Sequence, residues 1–195
     1  MKKTLYSLLH LVFVLLALNF TGCASYSRSI SLSEPHTPND AYIYGNFEIY
    51  TKRVALGLDG YQTMGFSISC NDNQNYIIRF SIEDPLQVIK VNPSTCSFNE
   101  IVYTNADGII RSRKPPPKGS MQNMRIKPNT AYYFGDYKAS ITFSYSGTYS
   151  TTRWRMNSIK NNFKSTTKDM KYEFPKLKQV DTVNILPLML MKKKK

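Results

Sequence analysis

Ala41-Tyr42-Ile43-Tyr44-Gly45-Asn46-Phe47-Glu48-Ile49-Tyr50 decides the fold class. Aromatic and β-branched side chains dominate this stretch, and such residues suit the pleated, half-buried surface of a sheet. The same signature recurs downstream. Gly65-Phe66-Ser67-Ile68-Ser69-Cys70 alternates apolar and polar residues with period two, and Tyr76–Ile82 and Gln87–Val91 continue the series. Asn71-Asp72-Asn73-Gln74-Asn75 is a turn by composition, because Asn and Asp satisfy their own backbone and tolerate positive φ. Ile141–Tyr145 and Thr152–Met156 read as two more strands, Thr166–Tyr172 as a short helix ended by Pro175. Short strands spaced by Asn, Asp, Gly and Pro predict a mostly β chain. The expected form is a single antiparallel β-sandwich over residues 41–180, followed by a basic tail over 181–195.

Upstream, Ala24 to Asp40 is rich in serine, carries Pro35 and Pro38 and lacks hydrophobic periodicity. Residues 23–40 therefore read as a flexible tether. Before it stand Met1-Lys2-Lys3 and an apolar run from Leu5 to Leu18 interrupted by Ser7 and His10. That run is shorter than the roughly 20 apolar residues a bilayer requires, and it suits the core of a signal peptide over residues 1–22. Phe20-Thr21-Gly22-Cys23 follows.

Small residues at the last two positions before a cysteine resemble the lipobox of bacterial lipoproteins, with Phe20 where the family usually carries an aliphatic residue. The resemblance implies cleavage before Cys23, a thioether-linked diacylglycerol on its sulfur, and anchorage in the cell envelope. Ala24 resembles the pattern sent to the outer membrane. Two or more acyl chains hold a protein firmly, at about 0.8 kcal/mol per buried CH₂. The competing readings are an ordinary secreted protein cut near Ala24 or Ser25, and an uncleaved N-terminal anchor.

Val91-Asn92-Pro93-Ser94-Thr95-Cys96-Ser97-Phe98 parallels Ile126-Lys127-Pro128-Asn129-Thr130-Ala131-Tyr132-Tyr133. Pro presets φ at the first corner of a turn and Asn accepts positive φ at the next, so both read as tight hairpins. Their spacing resembles the apolar-x-Pro-Gly-x-Tyr hairpin of transthyretin-like and carboxypeptidase-regulatory-like sandwiches, with Ser94 and Asn129 in place of Gly and Cys96 and Ala131 in place of Tyr. An immunoglobulin-like sandwich is the other form considered. Tyr132-Tyr133-Phe134-Gly135-Asp136 also resembles a stretch of bacterial envelope lipoproteins.

The chain carries 26 Lys and Arg against 13 Asp and Glu, a formal charge of +13. Without residues 1–22 the charge is about +11. Such a chain favours anionic surfaces, here lipopolysaccharide phosphates, lipid head groups or acidic glycans; the plainer alternative is a basic, soluble surface. Nucleic acid is not expected as the partner of an exported, membrane-tethered chain. Arg111-Ser112-Arg113-Lys114-Pro115-Pro116-Pro117-Lys118-Gly119 reads as an exposed loop, since three prolines bar a central strand. Its Arg111, Arg113, Lys114 and Lys118 are the candidate polyanion contact. Arg153-Trp154-Arg155 is the candidate protein or glycan interface, because Trp and Arg lead interface hot spots; the alternative places Trp154 in the core with arginines in solvent.

Cys70 and Cys96 remain after Cys23. Paired cysteines usually bridge in an oxidising compartment, and a bridge would close 25 intervening residues; two buried thiols are the alternative. Catalysis finds little support. After residue 22 the one histidine is His36, on the expected tether, so Ser-His-Asp and Cys-His constellations are not expected. No His/Cys cluster suggests zinc, and Glu83-Asp84 reads as a turn before Pro85. No cofactor is expected. The function expected is non-enzymatic binding or structural support in the envelope, and the competing class is a surface-displayed adhesin.

Overall fold

The computed structural model describes residues 27–53, 63–104, 110–114, 123–146 and 149–186. Among these residues ten strands follow in order: β1 (Ala41–Arg53), β2 (Thr63–Cys70), β3 (Asn75–Arg79), β4 (Leu86–Val91), β5 (Thr95–Thr104), β6 (Ile110–Lys114), β7 (Met124–Arg125), β8 (Thr130–Ser146), β9 (Tyr149–Lys160) and β10 (Asp181–Asn184). One helix, α1 (Phe163–Glu173), and a 3-10 turn at Pro175–Leu177 lie between β9 and β10. One sheet runs β10-β8-β1-β4, with β9 on the same side of β8 as β10. The other runs β3-β2-β5-β6, with β7 also on β5. The chain is thus mostly β, with two sheets in a sandwich-like arrangement.

Aromatic rings fill the space between the sheets. Phe47, Phe134 and Tyr137 from the first sheet meet Phe66, Phe80 and Phe98, with Phe66 central: its centroid lies 4.8 Å from Tyr137, 5.1 Å from Phe80 and 5.1 Å from Phe98. Each such ring contributes about 1.5–3 kcal/mol by leaving water. Tyr42, Tyr44 and Phe47 of β1 and Tyr132, Tyr133, Phe134 and Tyr137 of β8 are therefore packing residues; Tyr50, 65% exposed, departs from the rule.

Strict alternation along β8 would send Phe134 and Tyr137 to opposite faces. A bulge at Gly135, with φ of +126°, resets the alternation so that both rings turn inward and Asp136 turns outward. Gly45 lies across from it, and a Cβ there would stand 2.2 Å from the Gly135 carbonyl oxygen. Two glycines thus let β1 and β8 approach where the register shifts.

Four sequence expectations change. The sandwich is not purely antiparallel, because β1 and β10 both pair parallel to β8. The two Pro segments are not hairpins: Asn92–Ser94 carries the chain from β4 in one sheet to β5 in the other, and Ile126–Asn129 carries it from β7 back to β8. Asn129 does take positive φ, 51°, as a tight corner requires. Asn73, at 62°, does the same in the β2–β3 turn that the Asn/Asp run marks. Third, Arg111, Arg113 and Lys114 do not lie in a loop. They belong to β6, where Arg113 and Lys114 lie opposite Val102 and Ile101 of β5 and Arg111 falls at the register shift between Ser112 and Ile110, because the paired strand begins before the prolines.

The fourth change concerns both ends of the domain. The Ser27 N–H donates to the Ile77 carbonyl at 2.8 Å, and the Ile77 N–H donates to Ser27 Oγ at 2.9 Å. Three residues on, the Ile30 N–H donates to the Val88 carbonyl at 2.8 Å, and the Val88 N–H donates to Ser29 Oγ at 3.0 Å. Serine hydroxyls here replace the acceptors of a neighbouring strand. Residues 27–30 therefore form a strap bonded to β3 and β4, one in each sheet, and the part of the expected tether from residue 27 on is fixed. At the other end the core continues past residue 180: Ile185 and Leu186 are 3% and 1% exposed. The tail from residue 187 onward lies outside the described residues.

Candidate functional site

Among the described residues, one helix covers part of the outer face of the β1/β8 sheet. Helix α1 forms over Phe163–Glu173 because Phe163, Thr166 and Met170 make one stripe, and it stops before Pro175, whose ring bars the preceding residue from helical geometry. That stripe rests on outward residues of β1 and β8. The Phe163 ring lies 5.6 Å from that of Tyr133, and the Tyr44 hydroxyl bonds to Thr167 Oγ1. Burial pushes the Tyr44 phenol up to about 12 despite that bond, and burial likewise raises Tyr133. Asp136 pins the start of the helix. Its carboxylate accepts from Tyr133 Oη at 2.9 Å, Asn162 Nδ2 at 2.9 Å, Thr166 Oγ1 at 3.0 Å and the Asn46 N–H at 3.3 Å.

Beyond Asp136 no described element lies over the sheet face, and Tyr50, Lys138, Arg155 and Lys160 are exposed. Lys138 bonds to Glu48 at 2.5 Å, and Ser140 donates to Asn157 Oδ1 at 3.2 Å. Arg155 is opposite Ser140, Ser158 opposite Lys138, and Lys160 opposite Asp136. Tyr50, beside Ser140, stands largely in solvent. Lys52 and Arg153 both take register positions aligned with Thr142. Glu48 is engaged by Lys138, and among the described residues neither Arg155 nor Lys160 has an ion-pair partner. A cleft of about 320 Å³ opens where the helix leaves the sheet, lined by Glu48, Asp136, Lys138, Ser158, Lys160 and Asn162 among others. The arrangement is a shallow, cation-rich surface with one exposed ring, suited to hydrogen bonding and ion pairing with an extended anion.

The sequence candidates divide between the sheets. Arg153, Trp154 and Arg155 lie on β9; Arg155 is exposed on the open face, and Trp154 takes the register position opposite the fully buried Ile141. Arg111, Arg113 and Lys114 lie on β6 of the other sheet, so the two basic groups do not form one patch. Lys118 and Cys23 lie outside the described residues. Cys70 and Cys96 form a disulfide directly across β2 and β5, the bridged form of the two readings of this pair. Lys138, Lys160 and Tyr50 were not legible as site residues, since only the pairing of β8 with β1 and β9 brings them beside Arg155.

His36 also differs from expectation. Its ring is held at both nitrogens, Nδ1 3.0 Å from Tyr42 Oη and Nε2 3.1 Å from Asn129 Oδ1. A neutral ring donating from Nε2 and accepting at Nδ1 satisfies both contacts. Asp40, beside it, takes the Thr37 N–H at 2.6 Å and an ion pair with Lys90 at 2.9 Å. Burial opposes the Asp40 charge, but Lys90 and Thr37 outweigh it and hold the carboxyl below its ordinary range. This cluster ties the N-terminal segment to the sheet. Among the described residues no group of three or more His, Cys, Asp or Glu is placed to hold a metal, and no helix is long and apolar enough to cross a membrane. No protein-family model and no curated protein matches this chain.

Proposed function

We propose that the chain is a lipid-anchored cell-envelope protein, held at Cys23 and directed to the outer membrane, that binds an anionic envelope polymer without catalysing a reaction. The observation that carries this reading is the part of the outer sheet face that no described element covers. Lys138, Arg155 and Lys160 converge there with exposed Tyr50, and the only carboxylate beyond Asp136 on the described part of this face, Glu48, is already paired. Arginine suits the sulfate, phosphate or carboxylate groups of a sugar chain by forked hydrogen bonds, and an exposed tyrosine ring suits the apolar face of a sugar ring by stacking. Acidic glycan, including the saccharide chain of lipopolysaccharide, is the ligand this chemistry selects.

The test compares two groups of cations on the purified protein. Arg153→Gln, Arg155→Gln and Lys160→Gln together are expected to weaken binding to an acidic glycan about tenfold or more at low salt. The difference should shrink as salt rises, because exposed charges are screened beyond about 8 Å at physiological ionic strength. Replacing Arg111, Arg113, Lys114 and Lys118 with Gln should weaken it less. Equal losses from both sets would reduce the effect to net charge and refute a localised site. For the anchor, Cys23→Ser should abolish labelling by fatty acid and move the protein from detergent to aqueous phase; unchanged partitioning would refute lipidation.

A further inference from the structure

We infer that the open basic face is held off the bilayer that carries the anchor, so that its partner is an anionic polymer outside that bilayer and not the lipid head groups. The inference rests on the lipid anchor proposed above and follows from the length of chain between Cys23 and the strap. Ser27 is bonded to Ile77, at the β3 edge of the sheet remote from α1. The chain then crosses to β4 at Ser29 and Ile30. Four steps of chain separate Cys23 from Ser27, a reach of at most about 14 Å when fully extended.

For head groups to meet the open face, the membrane plane must lie outside the helix that stands on that same face. The two sheets are about 10 Å apart. Helix α1 adds roughly another 10 Å above the outer face, the diameter of a helix with its side chains. The anchor would have to span about 20 Å from its departure at the β3 edge, and it spans at most about 14 Å. The bilayer can meet the strap edge or the β3/β2 sheet, and the outer face of the β1/β8 sheet then points sideways or away from it. A flexible tether over residues 23–40 would have removed this constraint; the bonds of Ser27, Ser29 and Ile30 impose it.

The experiment uses the lipidated full chain in vesicles of phosphatidylcholine with a minority of phosphatidylglycerol, some of the lipids carrying a head-group quencher. A fluorophore is placed on Arg28→Cys, an exposed strap position, or on Asn157→Cys, an exposed position of the open face. The strap label should be quenched several-fold more than the face label. Polygalacturonate added to the vesicles should change the emission of the face label and leave the strap label unaffected. Inserting 20 Gly/Ser residues after Ala24, with a typical span of roughly 25 Å, should release the constraint and raise quenching at the face label. Equal quenching of the two labels without the insertion overturns the inference, as does a face label indifferent to both polymer and insertion. Failure of the anchor reading is seen separately: the wild-type chain would then leave the vesicles on washing, as Cys23→Ser should.

Discussion

Replacing Asp136 with alanine tests whether one carboxylate fastens helix α1 to the sheet. Four donors converge on it: the Tyr133 hydroxyl, Asn162 Nδ2, the Thr166 hydroxyl and the Asn46 N–H. A hydrogen bond to a charged group contributes about 1.5–3 kcal/mol. The four are not equal. Tyr133 can turn to the Lys160 carbonyl at 3.2 Å, the Asn46 contact is long at 3.3 Å, and Asn162 is exposed and regains water. Thr166, 1% exposed, loses its acceptor outright. About two bonds' worth remains, discounted for the half-exposed carboxylate, which comes to about 3 kcal/mol. For a domain of this size the melting temperature should fall by roughly 6–12 °C. Circular dichroism gives the melting temperature, and amide exchange should show residues 163–173 opening before the strands. Asp136→Asn, which keeps one acceptor oxygen, should fall between the two. A melting temperature for Asp136→Ala within about 2 °C of wild type would refute this account of the helix attachment.

Opening the Cys70–Cys96 bridge by Cys→Ala at both positions should cost about 3 kcal/mol in denaturant unfolding, the loop-closure value for a ring of this length; no loss would show that the unfolded chain is not constrained by it. Ser27→Ala with Ser29→Ala removes the acceptors for the Ile77 and Val88 N–H groups, and should lower stability by about 2 kcal/mol while speeding protease cleavage at the strap; unchanged cleavage would mean the strap is held by other contacts. In alkaline titration the Tyr44 phenol should ionise near 12. Because its folded pKa is raised above the unfolded value near 10, its contribution to stability is complete below about pH 10 and is lost as pH rises toward 12. The Asp40 carboxyl works in the opposite sense, its contribution being present above the ordinary carboxylate range and lost as pH falls through its depressed folded value.

The sheet character was legible because local side-chain chemistry carries it: β1, β2 and β4 read directly from aromatic and β-branched runs, and the Asn71–Asn75 turn from its composition. Helix α1 was legible too, though its start at Phe163 lies three residues before the expected Thr166. Pairing was not legible. Nothing local tells that the Pro93 and Pro128 segments arch between sheets, since a corner residue has the same φ whether the next strand returns alongside or crosses over. Strand partners decide the site as well. Arg155 stood out beside Trp154, but Lys138 and Tyr50 join it only through long-range register. The serine strap was missed for a related reason: a hydroxyl bonded to an edge strand leaves no hydrophobic period.

The parallel pairing of β1 with β8 has a consequence for how the molecule is made. Its partners, beginning with Ala41 and Thr130, are about 90 residues apart along the chain. At synthesis rates of about 5–20 residues per second, β1 emerges some 5–20 s before the strand that covers one of its edges. Meanwhile AYIYGNFEIY, free of proline and rich in β-formers, has the composition that self-associates through unpaired edges. High contact order also makes the closing step slow. The yield of native protein is therefore governed by how well this first strand is shielded during biogenesis, and substitutions that blunt its exposed edge should raise recovery even where they leave equilibrium stability unchanged.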